Sequence, residues 1–194
     1  MGIVSEGKPY PLGSTLTNDG VVKPEHSALI IWDVQNMLVG RIFNKEEFIK
    51  NNNELIKRAH ELEIPVIFTK ITPLPEKFES APRLARGGFP RDMDKSMFDL
   101  TIAPEESDIV LNKNTASIFI GTNFEMMMRN AGIETLIFTG IATEIGVESS
   151  VRDGSNRGFY NVVIKDAVSS GNREAHERSL KNMELMFNRI SPIP

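Results

Sequence analysis

Short apolar runs alternate with longer amphipathic segments along most of this chain. The apolar runs are four to six residues long and rich in β-branched side chains; they cover residues 28–33, 65–70, 108–113, 136–139 and 161–166. The segments between and after them place apolar residues at helical spacing and cover residues 44–63, 119–130, 145–158 and 175–190. Parallel strands that are buried on both faces have this apolar character. Strands that alternate with helices therefore predict a parallel sheet with helices on both faces.

One stretch of this pattern, residues 135–160, predicts a strand, a tight turn and a helix in direct succession. The strand ends at Gly140, and apolar residues resume at helical spacing with Ile145, Val147 and Val151. Such a unit places a helix N-terminus, with its free backbone amides, at the carboxyl end of a sheet strand. Because these amides favour negative charge, we expect the chemistry in the turn at residues 140–147.

Charged residues stand at the ends of two other predicted strands. Asp33 closes the first strand and Lys113 the third. An acid at this edge of an α/β sheet lies where ligands bind, although aspartate is equally common as a turn or cap residue. If Asp33 and Lys113 meet, they form either a proton-transfer pair or a structural ion pair. The amides around Ala142 and Gly146 could complete an anion hole.

The segment at residues 71–107 is too long to be a simple connection. It contains several prolines and glycines, and loops of this length in a compact domain are usually lids or binding loops. Its basic side chains could clamp an acidic substrate, and a solvated basic surface explains them equally well. These side chains are Arg83, Arg86, Arg91 and Lys95.

Residues 1–25 form a separate N-terminal arm in this interpretation, and residues 26–194 form one domain. The arm is polar and contains prolines and glycines, so it is either a tail or a strap over the domain or a neighbouring subunit. It has no apolar signal core, and we expect a cytoplasmic protein.

Composition narrows the possible partners and chemistry. The net charge of −4 argues against a nucleic acid or an anionic membrane as partner. No apolar run approaches the roughly 18 residues that a membrane span requires. The chain has no cysteine, which excludes disulfides, thiolate metal sites and a cysteine nucleophile.

Four motifs in the expected order resemble the isochorismatase-like hydrolase family, which includes nicotinamidases and N-carbamoylsarcosine amidases. The resemblance covers residues 28 to about 190. Residues 29–36 resemble the first strand with its catalytic aspartate, and the others are the lysine motif at 113–122, the turn motif at 140–147 and the C-terminal signature at 166–176.

The resemblance implies a three-layer, doubly wound α/β fold with about six mostly parallel strands. It also implies a cis peptide between Ile141 and Ala142, and catalytic roles for Asp33, Lys113 and the position of Gly146. We assign substrate contacts to six further residues: Gln35, Phe119, Ile141, Ala142, Thr143 and Glu144. Because members of the family are commonly oligomers, we expect a homodimer or a larger homo-oligomer.

The chain departs from the amidohydrolase branch of the family at Gly146, where that branch has its nucleophilic cysteine. Thiolate acyl transfer is therefore excluded. Ser149 and Ser150 follow about one helical turn, roughly 5 Å, too far along to replace it. The isochorismatase branch also has glycine at this position and hydrolyses a vinyl ether without a covalent intermediate. By that resemblance Asp33, with a raised pKa, would donate a proton, and the missing side chain would leave room for substrate and water.

The turn motif itself is closer to the amidohydrolase branch, since Ala142, Thr143 and Glu144 replace the aromatic residue and histidine of isochorismatases. We therefore expect a hydrolase for a small, carboxylated substrate, with hydrolysis of a vinyl ether of the isochorismate type, releasing pyruvate, as the first hypothesis. The alternatives are a hydrolase whose water is activated directly by Asp33 or Glu144, and a non-catalytic relative that binds a small ligand or acts as an assembly subunit. The loop at residues 71–107 lacks the histidines that hold the metal of some nicotinamidases, so we expect no site metal and no cofactor.

Overall fold

A computed structural model describes residues 21–89, 92–186 and 189–191 of the chain. They form one sheet of six parallel strands in the order β3-β2-β1-β4-β5-β6. The strands are β1 Ser27–Trp32, β2 Val66–Ile71, β3 Ile109–Lys113, β4 Thr135–Ile141, β5 Tyr160–Ser169 and β6 Arg189–Ser191. This arrangement confirms the predicted parallel α/β sheet.

Six α-helices accompany the sheet in the described residues. They are α1 Asn36–Val39, α2 Lys45–Glu61, α3 Ala81–Ala85, α4 Phe124–Asn130, α5 Glu148–Asn156 and α6 Arg173–Met186. A π-helical turn, Thr143–Val147, leads into α5, and short 3₁₀ turns lie at Pro24–His26, Glu76–Phe78 and Lys95–Phe98. None of the helices in this part of the chain is both long and apolar enough to cross a membrane.

Two apolar clusters cover the opposite faces of the sheet, and β1 shows how its sequence serves both. Leu29 and Ile31 belong to one cluster with side chains of α2, whereas Ile30 and Trp32 belong to the other with side chains of α4, α5 and α6. Successive side chains of a strand point to opposite faces. A strand covered on both sides must therefore be apolar throughout, as the run at residues 28–32 is.

Two predicted helix boundaries are wrong. The helix expected from residue 119 begins at Phe124, because the preceding segment folds on itself: Thr122 Oγ1 donates to the Ile118 carbonyl, and Gly121 has a φ of +76°. The helix expected to reach residue 190 ends at Met186. Residues beyond it form β6, which pairs with β5 at the edge of the sheet and is only three residues long.

The predicted N-terminal arm lies mostly outside the described residues. Its last part is seen: Val22 is buried in the cluster that contains α2, and the Val21 carbonyl accepts a hydrogen bond from Thr135 Oγ1. The arm therefore meets the domain where β4 begins.

The long connection between β2 and β3 contains α3 and two 3₁₀ turns but no strand of the sheet, and we call residues 72–108 the lid. Its second half is attached to the loop that follows β1. The Asn36 amide donates to the Asp99 carbonyl, and the Thr101 amide donates to the Val34 carbonyl, at 2.9 and 2.8 Å. These bonds hold the lid over the carboxyl ends of β1 and β2.

His60 on α2 makes the stability of this lid attachment dependent on pH. Its Nε2 lies 2.7 Å from Asp108 Oδ1 and its Nδ1 lies 3.2 Å from Glu105 Oε1. The hydrogen bond to Asp108 raises the pKa of His60, although partial burial opposes the shift. The folded state therefore holds the proton more tightly, and this contribution is complete below the unfolded pKa of about 6.5 and is lost as pH rises through the higher folded value.

We expect the free energy of unfolding, measured in urea between pH 5.5 and pH 8.5, to fall less steeply with rising pH in His60→Gln than in the wild type. Asp108→Asn should flatten the profile in the same way, because it removes the carboxylate that raises the pKa of His60. Parallel profiles in all three proteins would contradict this role.

Candidate functional site

Asp33 follows β1 at the carboxyl edge of the sheet and is 2 % exposed. Its φ is +46°, a region that few residues other than glycine occupy and that aspartate tolerates. Thr69 of β2 stabilises this conformation, since its hydroxyl accepts from the Asp33 amide at 3.0 Å and donates to Asp33 Oδ1 at 2.6 Å. The carboxylate is thus held in one orientation.

Lys113, the last residue of β3, meets the other carboxylate oxygen. Its Nζ lies 2.6 Å from Asp33 Oδ2, and both side chains are almost completely buried. Nζ also donates to the Thr115 carbonyl at 3.3 Å and lies 4.0 Å from the centre of the Trp32 ring. The two residues that the sequence placed at separate strand ends therefore form a buried, hydrogen-bonded ion pair.

Burial brings the pKa values of Asp33 and Lys113 closer together. It raises the pKa of Asp33, which the nearby Lys113 charge and the hydrogen bonds from Lys113 and Thr69 partly oppose. It lowers the pKa of Lys113, which the Asp33 charge partly opposes. A carboxyl group and an amine with converging pKa values can exchange a proton at a small cost, which is the property required of a general acid or base near neutral pH.

The sequence predicted open space at Gly146. This prediction is wrong, because the side chain of Trp32 fills that space. A Cβ added to Gly146 would lie 1.9 Å from Trp32 Nε1 and 2.3 Å from Cε2. Trp32 itself is 1 % exposed. The nitrogen edge of the indole therefore occupies the volume that a side chain at position 146 would need, and glycine is the residue that this contact allows.

The turn before α5 contains the expected cis peptide between Ile141 and Ala142. The amides of Ile145, Gly146 and Val147 all point to the carbonyl of Ala142, at 3.2, 3.1 and 3.3 Å. The Gly146 amide, which was predicted to form part of an anion hole, thus has an acceptor within its own turn.

Thr143 and Glu144 contact the end of β5 and the segment that follows it. The Thr143 hydroxyl donates to the Ser169 carbonyl at 3.1 Å and lies 2.8 Å from His176 Nδ1. Glu144 Oε1 accepts a hydrogen bond from Ser170 Oγ at 2.7 Å, while its buried Oε2 has no partner among the described residues. Burial lowers the pKa of His176. These contacts hold the turn against α6.

Two other predicted substrate contacts have structural partners of their own. Gln35 is fully buried, and its amide nitrogen donates to the carbonyls of Ile71 and Phe98 at 3.1 and 2.7 Å, while its oxygen accepts from the Ile71 amide. Phe119 packs in the cluster that contains Trp32, with its ring edge-on to Phe124. Gln35 therefore ties the lid to β2.

Ser150, one of the two serines beyond Gly146, is engaged in structural hydrogen bonds. Ser150 is completely buried, donates to the Gly146 carbonyl at 2.8 Å and accepts from the Ile118 amide at 3.2 Å. Its hydroxyl is thus a support for the turn.

A cavity of about 580 Å³ opens within the lid. Its described lining is mainly apolar, with two glutamates, and includes Leu74, Glu76, Glu79, Leu84, Phe89, Met93 and Phe98. Neither Asp33 nor Lys113 lines it.

Arg83 connects the cavity with the Asp33–Lys113 pair. Its guanidinium lies 5.1 Å from the Phe89 ring and donates to the Asn114 carbonyl, next to Lys113, at 2.6 Å. After burial and their mutual interaction, the Arg83 charge also lowers the pKa of both Asp33 and Lys113.

Sequence reasoning missed Thr69, Trp32 and the special place of Arg83 among the basic residues of the lid. Trp32 carried a signal, since it is the only tryptophan of the chain and directly precedes Asp33. The sequence at Trp32 and at Gly146, taken separately, does not reveal that the Trp32 side chain fills the space beside Gly146.

The sequence model of the Isochorismatase domain matches residues 27–193. Curated relatives named ureidoacrylate amidohydrolase RutB match part of the chain. The one from Methylorubrum extorquens is 42% identical over 93 residues, which is 47% of this chain and 38% of the relative. The one from Enterobacter sp. strain 638 is 40% identical over 111 residues, which is 57% of this chain and 46% of the relative. The matched regions thus span less than half the length of these relatives.

Solved structures share the fold over most of the chain. A cysteine hydrolase from Pseudomonas syringae pv. phaseolicola has a TM-score of 0.78 at 17% identity, covering 94% of this chain and 93% of that one. A pyrazinamidase from Pyrococcus horikoshii, solved in complex with zinc, has a TM-score of 0.76 at 24% identity, covering 87% and 99%. At these identities the likeness establishes the α/β fold.

Proposed function

Because the chain belongs to the Isochorismatase domain family, we propose that it is a hydrolase of a small, carboxylated molecule that works without a covalent intermediate and uses Asp33 as its proton donor. The observation that carries the proposal is the buried pair of Asp33 and Lys113, 2.6 Å apart, beside a position 146 that has no nucleophile. The catalytic assignments of Asp33 and Lys113 are part of this proposal.

The chemistry follows from the state of the pair. A raised pKa keeps a proton on Asp33 for a larger fraction of the time than in an exposed aspartate, and Lys113 orients the carboxyl group. In vinyl-ether hydrolysis this proton would go to the enol-ether carbon, and water would add to the oxocarbenium ion, whose hemiketal then collapses to pyruvate and an alcohol. In hydrolysis of an amide or ureide, Asp33 would instead take a proton from the attacking water and return it to the leaving nitrogen.

One feature supports an anionic substrate. The Arg83 charge acts on both Asp33 and Lys113, and the Arg83 guanidinium lies 3.4 Å from Glu79 Oε2. Arginine is also suited to paired hydrogen bonds with a carboxylate. The similarity to ureidoacrylate amidohydrolases supports a ureide as one of the two substrate classes to be tested, with isochorismate as the other.

The test is to incubate the purified protein with isochorismate and with ureidoacrylate and to measure release of pyruvate and ammonia. Asp33→Asn is expected to lower the rate of the active reaction by roughly 10²- to 10⁴-fold, the usual contribution of a positioned acid or base. His60→Gln, which changes a residue on α2 paired with the lid, is the matched control and should retain the rate. Undiminished turnover in Asp33→Asn would exclude the proposal, and an acyl-enzyme trapped with hydroxylamine would exclude its non-covalent course.

A second candidate function, binding of a small ligand without turnover, is favoured by two observations. Trp32 fills the space at Gly146, and both Asp33 oxygens already have hydrogen-bond donors. A binding protein would show saturable binding of either compound by calorimetry, retained in Asp33→Asn, with no product released by the wild type.

A further inference from the structure

Trp32 is placed in the site by two contacts of its ring. It ends β1 opposite Gly140 of β4, where glycine is required because φ is +106° and a Cβ would lie 2.1 Å from the Trp32 carbonyl oxygen. Its ring face lies beneath Lys113 Nζ, and its nitrogen edge lies against Gly146. The indole is therefore wedged between the two strand ends and the turn.

The hydrogen bonds around this point leave the indole N–H without an acceptor. Asp33 Oδ1 is bonded to Thr69 and Oδ2 to Lys113, and the Gly146 amide is bonded to Ala142. Trp32 Nε1, by contrast, makes no hydrogen bond to any residue in the described ranges. Trp32 Nε1 is also not among the completely buried side-chain atoms of the described residues that lack a partner, so the N–H keeps some access from outside. A tryptophan N–H normally finds a partner.

The chemistry of the indole defines what such a partner would be. The two nearby cations are already paired, Lys113 with Asp33 and Arg83 with Glu79. An indole N–H can only donate, so its partner must be an acceptor. A carboxylate or carbonyl oxygen of a ligand satisfies this condition.

We propose that the Trp32 indole N–H takes the place of the side chain missing at Gly146 and donates a hydrogen bond to a carboxylate or carbonyl oxygen of the ligand. The inference rests on the proposed function only in placing a small carboxylated molecule at this site, and it holds equally for a ligand that is bound and not turned over. Trp32 is then a specificity-determining residue, because a ligand without an oxygen at this point leaves the N–H unpaired.

The single tryptophan permits a direct test. In ¹⁵N-labelled protein the indole N–H gives one cross-peak, which needs no assignment because the chain has one tryptophan. The probes are pyruvate and ureidoacrylate, added to the wild type and to Asp33→Asn, in which turnover is expected to be slow. We expect a downfield proton shift of the indole peak that saturates with the binding isotherm from calorimetry.

The matched control replaces tryptophan throughout the chain with 3-benzothienylalanine, which substitutes sulfur for N–H at nearly the same ring shape. With one tryptophan, this substitution changes Trp32 alone. The loss of one hydrogen bond to a charged acceptor predicts roughly 10-fold weaker binding or more. The circular dichroism spectrum and thermal midpoint should stay close to those of the wild type, which separates loss of the donor from loss of the fold.

The outcomes distinguish this inference from the proposed function. An unmoved indole peak with a bound probe, equal affinity in the sulfur analogue, or no binding of either probe would overturn it. Binding with a shifted peak and no product would support the inference and reject the hydrolase. Product formation with an unmoved peak would reject the inference and leave the hydrolase standing.

Discussion

Gly146→Cys, which introduces the residue that the sequence resemblance implies at this position in the amidohydrolase branch, is expected to destabilise this protein. The new Cβ would lie 1.9 Å from Trp32 Nε1, and the ring cannot move aside without displacing the buried cluster around it. Overpacking of a filled core costs about 1–3 kcal/mol and occasionally more, and we expect the upper part of this range or beyond in the free energy of unfolding measured with urea.

Gly146→Cys should cost less in a Trp32→Ile background than in the wild type. Trp32→Ile alone removes a large buried ring and is expected to cost about 3–5 kcal/mol, by analogy with truncation of other core aromatic residues. In the double variant the cysteine occupies part of the space that the ring vacates, so the combined loss should be smaller than the sum by a coupling of about 0.5–3 kcal/mol. Ser149→Cys, three residues further along, is the control for a new thiol and should be nearly neutral. Additive losses in the double variant would show that Trp32 and Gly146 are independent.

Lys113→Met is expected to cost about 3–5 kcal/mol at neutral pH, because it leaves the Asp33 carboxylate buried without its charged partner. Asp33→Asn combined with Lys113→Met should recover wild-type stability or exceed it by about 1–4 kcal/mol, since a buried ion pair often costs more in desolvation than it returns. The measurement is urea unfolding of all four members of the cycle. Lys57→Met, which breaks the exposed pair with Glu61, is the control and should change little.

The pH dependence provides a second check on the same variant. Burial raises the pKa of Asp33 above its unfolded value, so its folded form binds the proton more tightly. That contribution to stability is complete below the unfolded pKa of about 3.9 and is lost as pH rises through the folded value. Lys113→Met, which lacks the opposing ammonium, should therefore gain stability relative to wild type as pH falls from 8 to 5. A Lys113→Met protein with the same deficit at both pH values would contradict a charged Asp33 as the cause.

If the double variant is the more stable protein, the ion pair is retained at a cost to stability. Such a cost is expected at functional sites, where selection acts on chemistry or binding as well as on folding. This result would favour the proton-transfer or ligand-binding interpretation of the pair over the structural one that the sequence left open.

The sequence by itself determined the layout of the fold and the position of the site within it. The apolar run of β1 predicts a strand covered on both faces, and Asp33 and Lys113 both end such runs; parallel strands bring their carboxyl ends to one edge, so their meeting follows from topology. β6 was missed because three residues are too short to show a period, and the start of α4 was missed because side-chain bonds to nearby carbonyls compete with the helix.

Only the tertiary structure decided what fills the space beside Gly146. Glycine at residue 146 is compatible with an open pocket or with close approach of another group, and the sequence does not distinguish them. The distinction depends on the side-chain direction of Trp32, a residue 114 positions earlier, which is set by the pleat of β1 and by packing with β4 and Lys113. Contacts of this kind join residues that share no local pattern, and they exist only once the sheet has assembled.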